Sequence, residues 1–290
     1  MADQSFKPSG SFLLLDEYFA AGSDAFVGEL MKVVDARKLA GLADRWKVDP
    51  RPWARQKIFE YLDKPLATPG HNVLVKRLFK EAEKRRDSEL MGAFLHAFDV
   101  LVRRQRRMKW RWDSTTRQSW REEELFAPKD NLLPPQPPRI AQNPKTLEKV
   151  PVPGRLRMRK NGRLFSYRTR YYLRRRAWRY FRFLSYRAPA EFPGAIGPAL
   201  ARYTDADLAK GEHILDSWCL LNACFRKHPA LEFTPSHVRL VEGHTLNELT
   251  PAPKQQAWMQ PAAGEALWTL LSAAQSRLVR VWAIQLLRQH

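Results

Sequence analysis

Eight prolines fall within the 27 residues from Ala127 to Pro153, and they divide the chain. Pro128, Pro134, Pro135, Pro137, Pro138, Pro144, Pro151 and Pro153 each fix φ and remove a backbone donor, so no helix crosses this stretch. It reads as an extended, semi-rigid connector over residues 127–153. The expected organisation is a helical N-terminal lobe over residues 1–126, the connector, and a C-terminal lobe over residues 154–290. With 290 residues and 44% hydrophobic content, the chain can bury one large core, two modest ones or an elongated stack.

The first lobe reads as consecutive short helices, near 12–20, 24–33 and 36–46. Asp49 followed by Pro50 has the form of a helix start, a capping carboxylate and then a first-turn proline. Ala54, Ile58, Tyr61 and Leu62 form the stripe of the helix that follows, which stops before Lys64-Pro65. After a turn at Thr68-Pro69-Gly70, the pairs Leu74/Val75 and Leu78/Phe79, then Ala82, repeat at helical spacing. Leu90, Phe94, Ala97, Phe98 and Leu101 mark a longer helix from Ser88 towards residue 109. Asp113, Ser114 and Thr115 are placed to start another, ending near Glu124.

Past the connector, Leu156 and Met158 alternate with Arg155, Arg157 and Arg159, and Asn161-Gly162 supplies a tight turn: a β-hairpin. A lone hairpin is marginal in water, so it needs a helix to lean on. That helix is expected at Thr169–Tyr186, with Leu173, Ala177, Tyr180, Phe181 and Leu184 on its core face. Arg168, Arg175, Arg179 and Arg182 fall opposite, flanked by Tyr171 and Trp178. Helices are expected at 191–202, 205–226, 263–273 and 276–289, with short strands at Leu231–Phe233 and His237–Val241.

The net charge of +20 is local. Residues 1–126 carry 24 basic and 19 acidic groups, residues 127–190 carry 17 and 2, and residues 191–290 carry 9 and 9. Like charges packed together repel unless a polyanion meets them. Arginine grips phosphate as a fork and stacks on rings, and interleaved aromatics are the stacking platforms of single-strand binders. The candidate nucleic-acid-binding residues are therefore Arg155, Arg157, Arg159, Lys160 and Arg163 on the hairpin, and Arg168, Tyr171, Arg175, Trp178, Arg179 and Arg182 on the helix. Arg103, Arg104, Arg106 and Arg107 form a second basic run.

At the C-terminal end, Val279-Arg280-x-x-Ala283 followed by Leu286-Leu287, and preceded by Leu270-Leu271, resembles a HEAT-type helical repeat. The resemblance covers about 24 residues, and the helix pairs at 50–63, 71–86 and 88–109 match it in length and apolar pattern. It implies paired helices stacking on their neighbours, with the arginine in the second helix near the turn. The fold expected is mainly α, a HEAT-like helical stack in two lobes with a small β-hairpin insertion. Trp282, Ile284 and Leu286-Leu287 leave an apolar flank that is expected to pack back on the chain, to meet a protein partner, or to mark the front part of a once longer repeat protein.

Catalytic and metal chemistry find little foothold. Neither G-x-S-x-G, H-E-x-x-H nor a phosphate loop occurs, and His213, His228, His237, His244, Cys219 and Cys224 lack zinc-site spacing. Cys219 and Cys224 lie five apart on one expected helix, which excludes a bridge between them. No catalytic residue, metal or cofactor is expected, and no membrane partner. The N-terminus MADQSFKPSG has no cationic segment followed by an apolar run, and the default setting is cytoplasmic. The function expected is non-enzymatic: nucleic acid or another polyanion bound with little base specificity. The alternatives are a scaffold docking an acidic protein and, third, a helical-repeat DNA glycosylase using Trp110, Trp112 and Asp113.

Overall fold

The computed structural model describes residues 10–64, 66, 68, 70–101, 105–126, 139–142, 149–152, 167–235 and 237–289. The helices are α1 Phe12–Ala21, α2 Phe26–Leu30, α3 Ala36–Trp46, α4 Pro52–Leu62, α5 His71–Arg85, α6 Ser88–Val100, α7 Tyr167–Arg187, α8 Phe192–Ala201, α9 Gly211–Asp216, α10 Trp218–Cys224, α11 Ala263–Ala273 and α12 Arg277–Leu287. The strands are β1 Gln105–Asp113, β2 Gln118–Phe126, β3 Arg139–Gln142, β4 Lys149–Val152, β5 Leu231–Phe233 and β6 Val238–Leu240. Among the described residues they pair as antiparallel two-stranded ribbons, β1 with β2, β3 with β4 and β5 with β6. The molecule is mainly helical.

Local chemistry sets the boundaries. Ser11, Asp35 and Asp87 cap α1, α3 and α6 by accepting from first-turn backbone N–H groups. Gly70, at φ 84°, lets the chain enter α5 against the carbonyl of Val34, where any Cβ would collide. The start of α4 lies two residues later than Asp49-Pro50 suggested. Arg51 is the N-cap and Pro52 the first helical residue, while Asp49 accepts from the Arg51 N–H at 3.0 Å.

Three further expectations are corrected. First, α6 ends at Val100, and Gln105–Asp113 is a strand instead of the end of a helix. Met108, Trp110 and Trp112 alternate with Arg107, Lys109 and Arg111, which is the period of a strand. Asp113 starts no helix. Its carboxylate accepts from Thr115 N and Thr116 Oγ1, both at 2.8 Å, and Arg117 closes the turn at φ 54°. Second, the proline-rich connector contains a ribbon, with Ile140 opposite Pro151 and Ala141 opposite Val150. Third, the helix expected over 205–226 is broken at Ser217, because Cys219 N–H donates to Asp99 Oδ2 at 2.8 Å.

The core is one cluster of buried side chains running from Leu15 to Leu286. At its centre α6 packs on α7 and α8. Gly92 of α6 sits so close to Ala199 of α8 that an added Cβ would lie 3.1 Å from the alanine's. The C-terminal flank turns inward: Val279, Trp282, Ala283 and Leu286 are buried, and the Trp282 indole donates to the Cys224 carbonyl at 3.1 Å. Arg280 donates to the carbonyls of Ala274 and Gln275, between α11 and α12. No described helix is long and apolar enough to cross a membrane.

Candidate nucleic-acid interface

The arginine-rich helix α7 carries eight arginines and no acid, and the fold sorts them. Arg170 and Arg174 are buried, Arg174 against Asp99 at 3.3 Å and the Asp216 carbonyl. Arg176 is held by the Glu83 carboxylate of α5, which raises its pKa. Arg175, Arg179 and Arg182 are exposed, as is Arg187, and no carboxylate among the described residues forms an ion pair with them. The three central arginines recur at i, i+4 and i+7, so they form one stripe about 11 Å long at 1.5 Å per residue.

Aromatics stand in the same stripe. Tyr172 and Tyr186 lie at its two ends, and Phe183 beside Arg179, all exposed. The guanidinium carbons of Arg182 and Arg187 lie 5.8 and 5.7 Å from the Phe183 ring centroid. Leu173, Ala177 and Phe181 are buried on the opposite face. Trp178 does not flank the stripe: it is a core residue, turned inward by the packing of that side of α7. Tyr171 is half-buried, with the Arg174 guanidinium 5.2 Å from its ring.

The stripe continues onto a second helix. Lys76 and Lys80 of α5 face Tyr172 and Arg176 across a groove of about 360 Å³, floored by Phe79 and Leu173. α5 and α7 meet only in the folded chain, through the Glu83–Arg176 ion pair and this groove, so the lysines join the basic surface although they lie far from the arginine block in sequence.

The second basic run has a different form. Gln105–Asp113 and Gln118–Phe126 make a nine-pair ribbon in which Trp110 faces Arg121, Arg111 faces Trp120 and Lys109 faces Glu122. Met108, Trp110 and Trp112 share one face with Arg121, and Trp120 lies on the other with Lys109 and Arg111. Trp110, Trp112 and Trp120 are 62, 64 and 47% exposed. Arg121 stacks 4.8 Å from the Trp110 ring centroid. Glu122, Glu123 and Glu124 lie opposite Lys109, Met108 and Arg107, so the ribbon is far less basic than its first strand alone.

Both parts start from one end of the fold. Ser88 of α6 bonds Tyr180 of α7, and Asp99 bonds Arg174, so the two helices run antiparallel. The C-terminus of α6, where the chain leaves for the β1–β2 ribbon, therefore lies beside the N-terminal half of α7. Of the other candidates, Arg103, Arg104, Arg155, Arg157, Arg159, Lys160 and Arg163 lie outside the described residues, with the expected Asn161-Gly162 hairpin. Only the backbone of Arg106, Arg107 and Arg168 is described.

The histidines have ordinary partners: His228 bonds the Glu248 carbonyl, His237 bonds Thr234, and His244 bonds the Glu248 carboxylate. Cys219 and Cys224 are free and buried, and burial pushes both thiols up. Among the described residues no group of three or more His, Cys, Asp or Glu is placed to hold a metal ion. In comparisons with known proteins, no family model matches the chain, and neither does any curated protein or solved structure.

Proposed function

We propose that this protein binds nucleic acid through the exposed α7 face, chiefly by phosphate contacts and with little base specificity, on a HEAT-like helical framework. One observation carries the reading. Arg175, Arg179 and Arg182 stand in a row, exposed and without carboxylate partners among the described residues, between exposed Tyr172, Phe183 and Tyr186. Cations kept this close without internal neutralisation fit a polyanion, and guanidinium forks fit phosphate. Lys76 and Lys80 widen the same surface. The HEAT-like part rests on α11 packing against α12 and on Arg280 tying down the turn between them. The Asp113 carboxylate is engaged in the β1–β2 turn, where the hydrogen bonds it accepts lower its pKa.

The test is fluorescence anisotropy with labelled DNA and RNA oligonucleotides over a salt series. Phosphate-driven binding falls steeply with salt, with a log–log slope of about 0.7 to 0.9 per phosphate neutralised. The R175A/R179A/R182A variant is expected to lose about two units of that slope and most of the affinity, with unchanged helix content. Absence of salt-sensitive binding at about 50 mM salt would sink the proposal.

A further inference from the structure

We infer that the β1–β2 ribbon is a stacking arm, and that the nucleic acid this protein prefers is an unpaired strand. The inference rests on the nucleic-acid reading above and names its substrate class.

Three tryptophans on one short ribbon, each about half exposed or more, leave a large apolar area in water, and such patches mark binding surfaces. The indoles are interleaved with cations on both faces. Arg121 stands with Trp110 and Trp112, and Lys109 and Arg111 stand with Trp120. That combination suits a chain that offers flat rings and phosphates alternately. Trp110 and Trp112 are two residues apart on one strand face, so their Cα atoms are roughly 7 Å apart. Two parallel rings at that spacing leave room for one flat base between them.

Other occupants fit less well. A bilayer would need an apolar tip, and this tip is Asp113-Ser114-Thr115-Thr116-Arg117, polar and internally hydrogen-bonded. Duplex DNA admits a ribbon in its major groove, but it keeps its base faces stacked inside, and an indole has a single donor with which to read the donor–acceptor pattern there. An unpaired strand presents base faces directly, and stacking on aromatics tolerates any sequence. A strand has a short way to go from the ribbon to α7, because β1 begins five residues after the end of α6, and that end of α6 lies beside the N-terminal half of α7.

The experiment uses the full chain, a 15-nucleotide mixed-sequence single strand and the same sequence as a duplex. Affinity is read by anisotropy and stacking by tryptophan emission. The wild type is expected to prefer the single strand, with emission quenched on binding. W110A/W112A is expected to bind the single strand tenfold or more weakly, with its salt slope and duplex affinity unchanged and part of the quench lost. W110F/W112F is expected to recover much of that affinity, and unchanged amide exchange over residues 105–126 in W110A/W112A sets stacking apart from a structural role of the ribbon. Unchanged single-strand affinity in W110A/W112A overturns the stacking arm while leaving the α7 reading intact. Equal or tighter binding of the duplex by the wild type also overturns it. Absence of binding to either form removes the arm and the α7 reading together.

Discussion

Two buried polar residues, Asp99 and His71, are each held by more than one partner, and both give measurable consequences. Asp99 is wholly buried and accepts from Arg174, the Tyr203 hydroxyl at 2.8 Å and the Cys219 N–H at 2.8 Å. It joins α6, α7 and α10 through one carboxylate. Removing it leaves the Arg174 guanidinium buried with no opposing charge from Asp99, so Asp99→Ala should lower unfolding stability by about 3–5 kcal/mol in urea denaturation. His71 is buried between the Tyr61 hydroxyl at 2.8 Å and the Val33 carbonyl at 2.9 Å. The neutral ring suits both, with Nε2–H donating to the carbonyl and Nδ1 accepting from the tyrosine. Burial lowers its pKa to about 4, against hydrogen bonds to backbone carbonyls that favour the charged ring. The unfolded chain therefore binds the extra proton first, near pH 6.5. Stability from this site is complete above that pH and is lost as pH falls towards about 4. Between pH 7 and pH 5 the loss should be roughly 2 kcal/mol, and His71→Gln, less stable at pH 7, should lack that slope.

At the scale of elements, the turn of the β1–β2 ribbon is held by Asp113. Asp113→Ala should loosen the ribbon by about 1 kcal/mol, seen as faster amide exchange over residues 105–126, with no change in global stability. The ribbon also shows what the sequence conceals. Helices α5, α6 and α7 were legible because their apolar residues recur at helical spacing: Leu74, Leu78 and Ala82, or Leu90, Phe94 and Phe98. Met108, Trp110 and Trp112 alternate with Arg107, Lys109 and Arg111, but this run follows closely on a strong helical stripe, which extends the apparent helix too far. The exposed positions Arg175, Arg179 and Arg182 followed from rotation about the helix axis alone. The inward turn of Trp178 did not, because at the edge of the stripe only the neighbouring packing decides which way a side chain faces. Lys76 and Lys80 were invisible for a related reason: nothing in the chain announces that α5 lies along α7.

For the whole molecule, one continuous core carries the load, and its C-terminal end is closed by aromatic packing. Trp258 is fully buried, 5.7 Å from the Phe192 ring and 5.0 Å from the Trp282 ring, both edge-on. The Trp282 indole also donates to the Cys224 carbonyl, so α8, α10 and α12 and the segment around Trp258 meet at this point. Trp282→Ala should cost about 3–5 kcal/mol, since the cavity removes ring contacts and leaves the Cys224 carbonyl without that donor. The buried cluster is unbroken from α1 to α12, so the loss should not stay local. Thermal unfolding should remain a single transition at a lower midpoint, with near-UV circular dichroism and intrinsic fluorescence superimposing. Two separated transitions, with the N-terminal helices melting at the wild-type temperature, would instead show that the chain on either side of the α6–α8 contact folds independently.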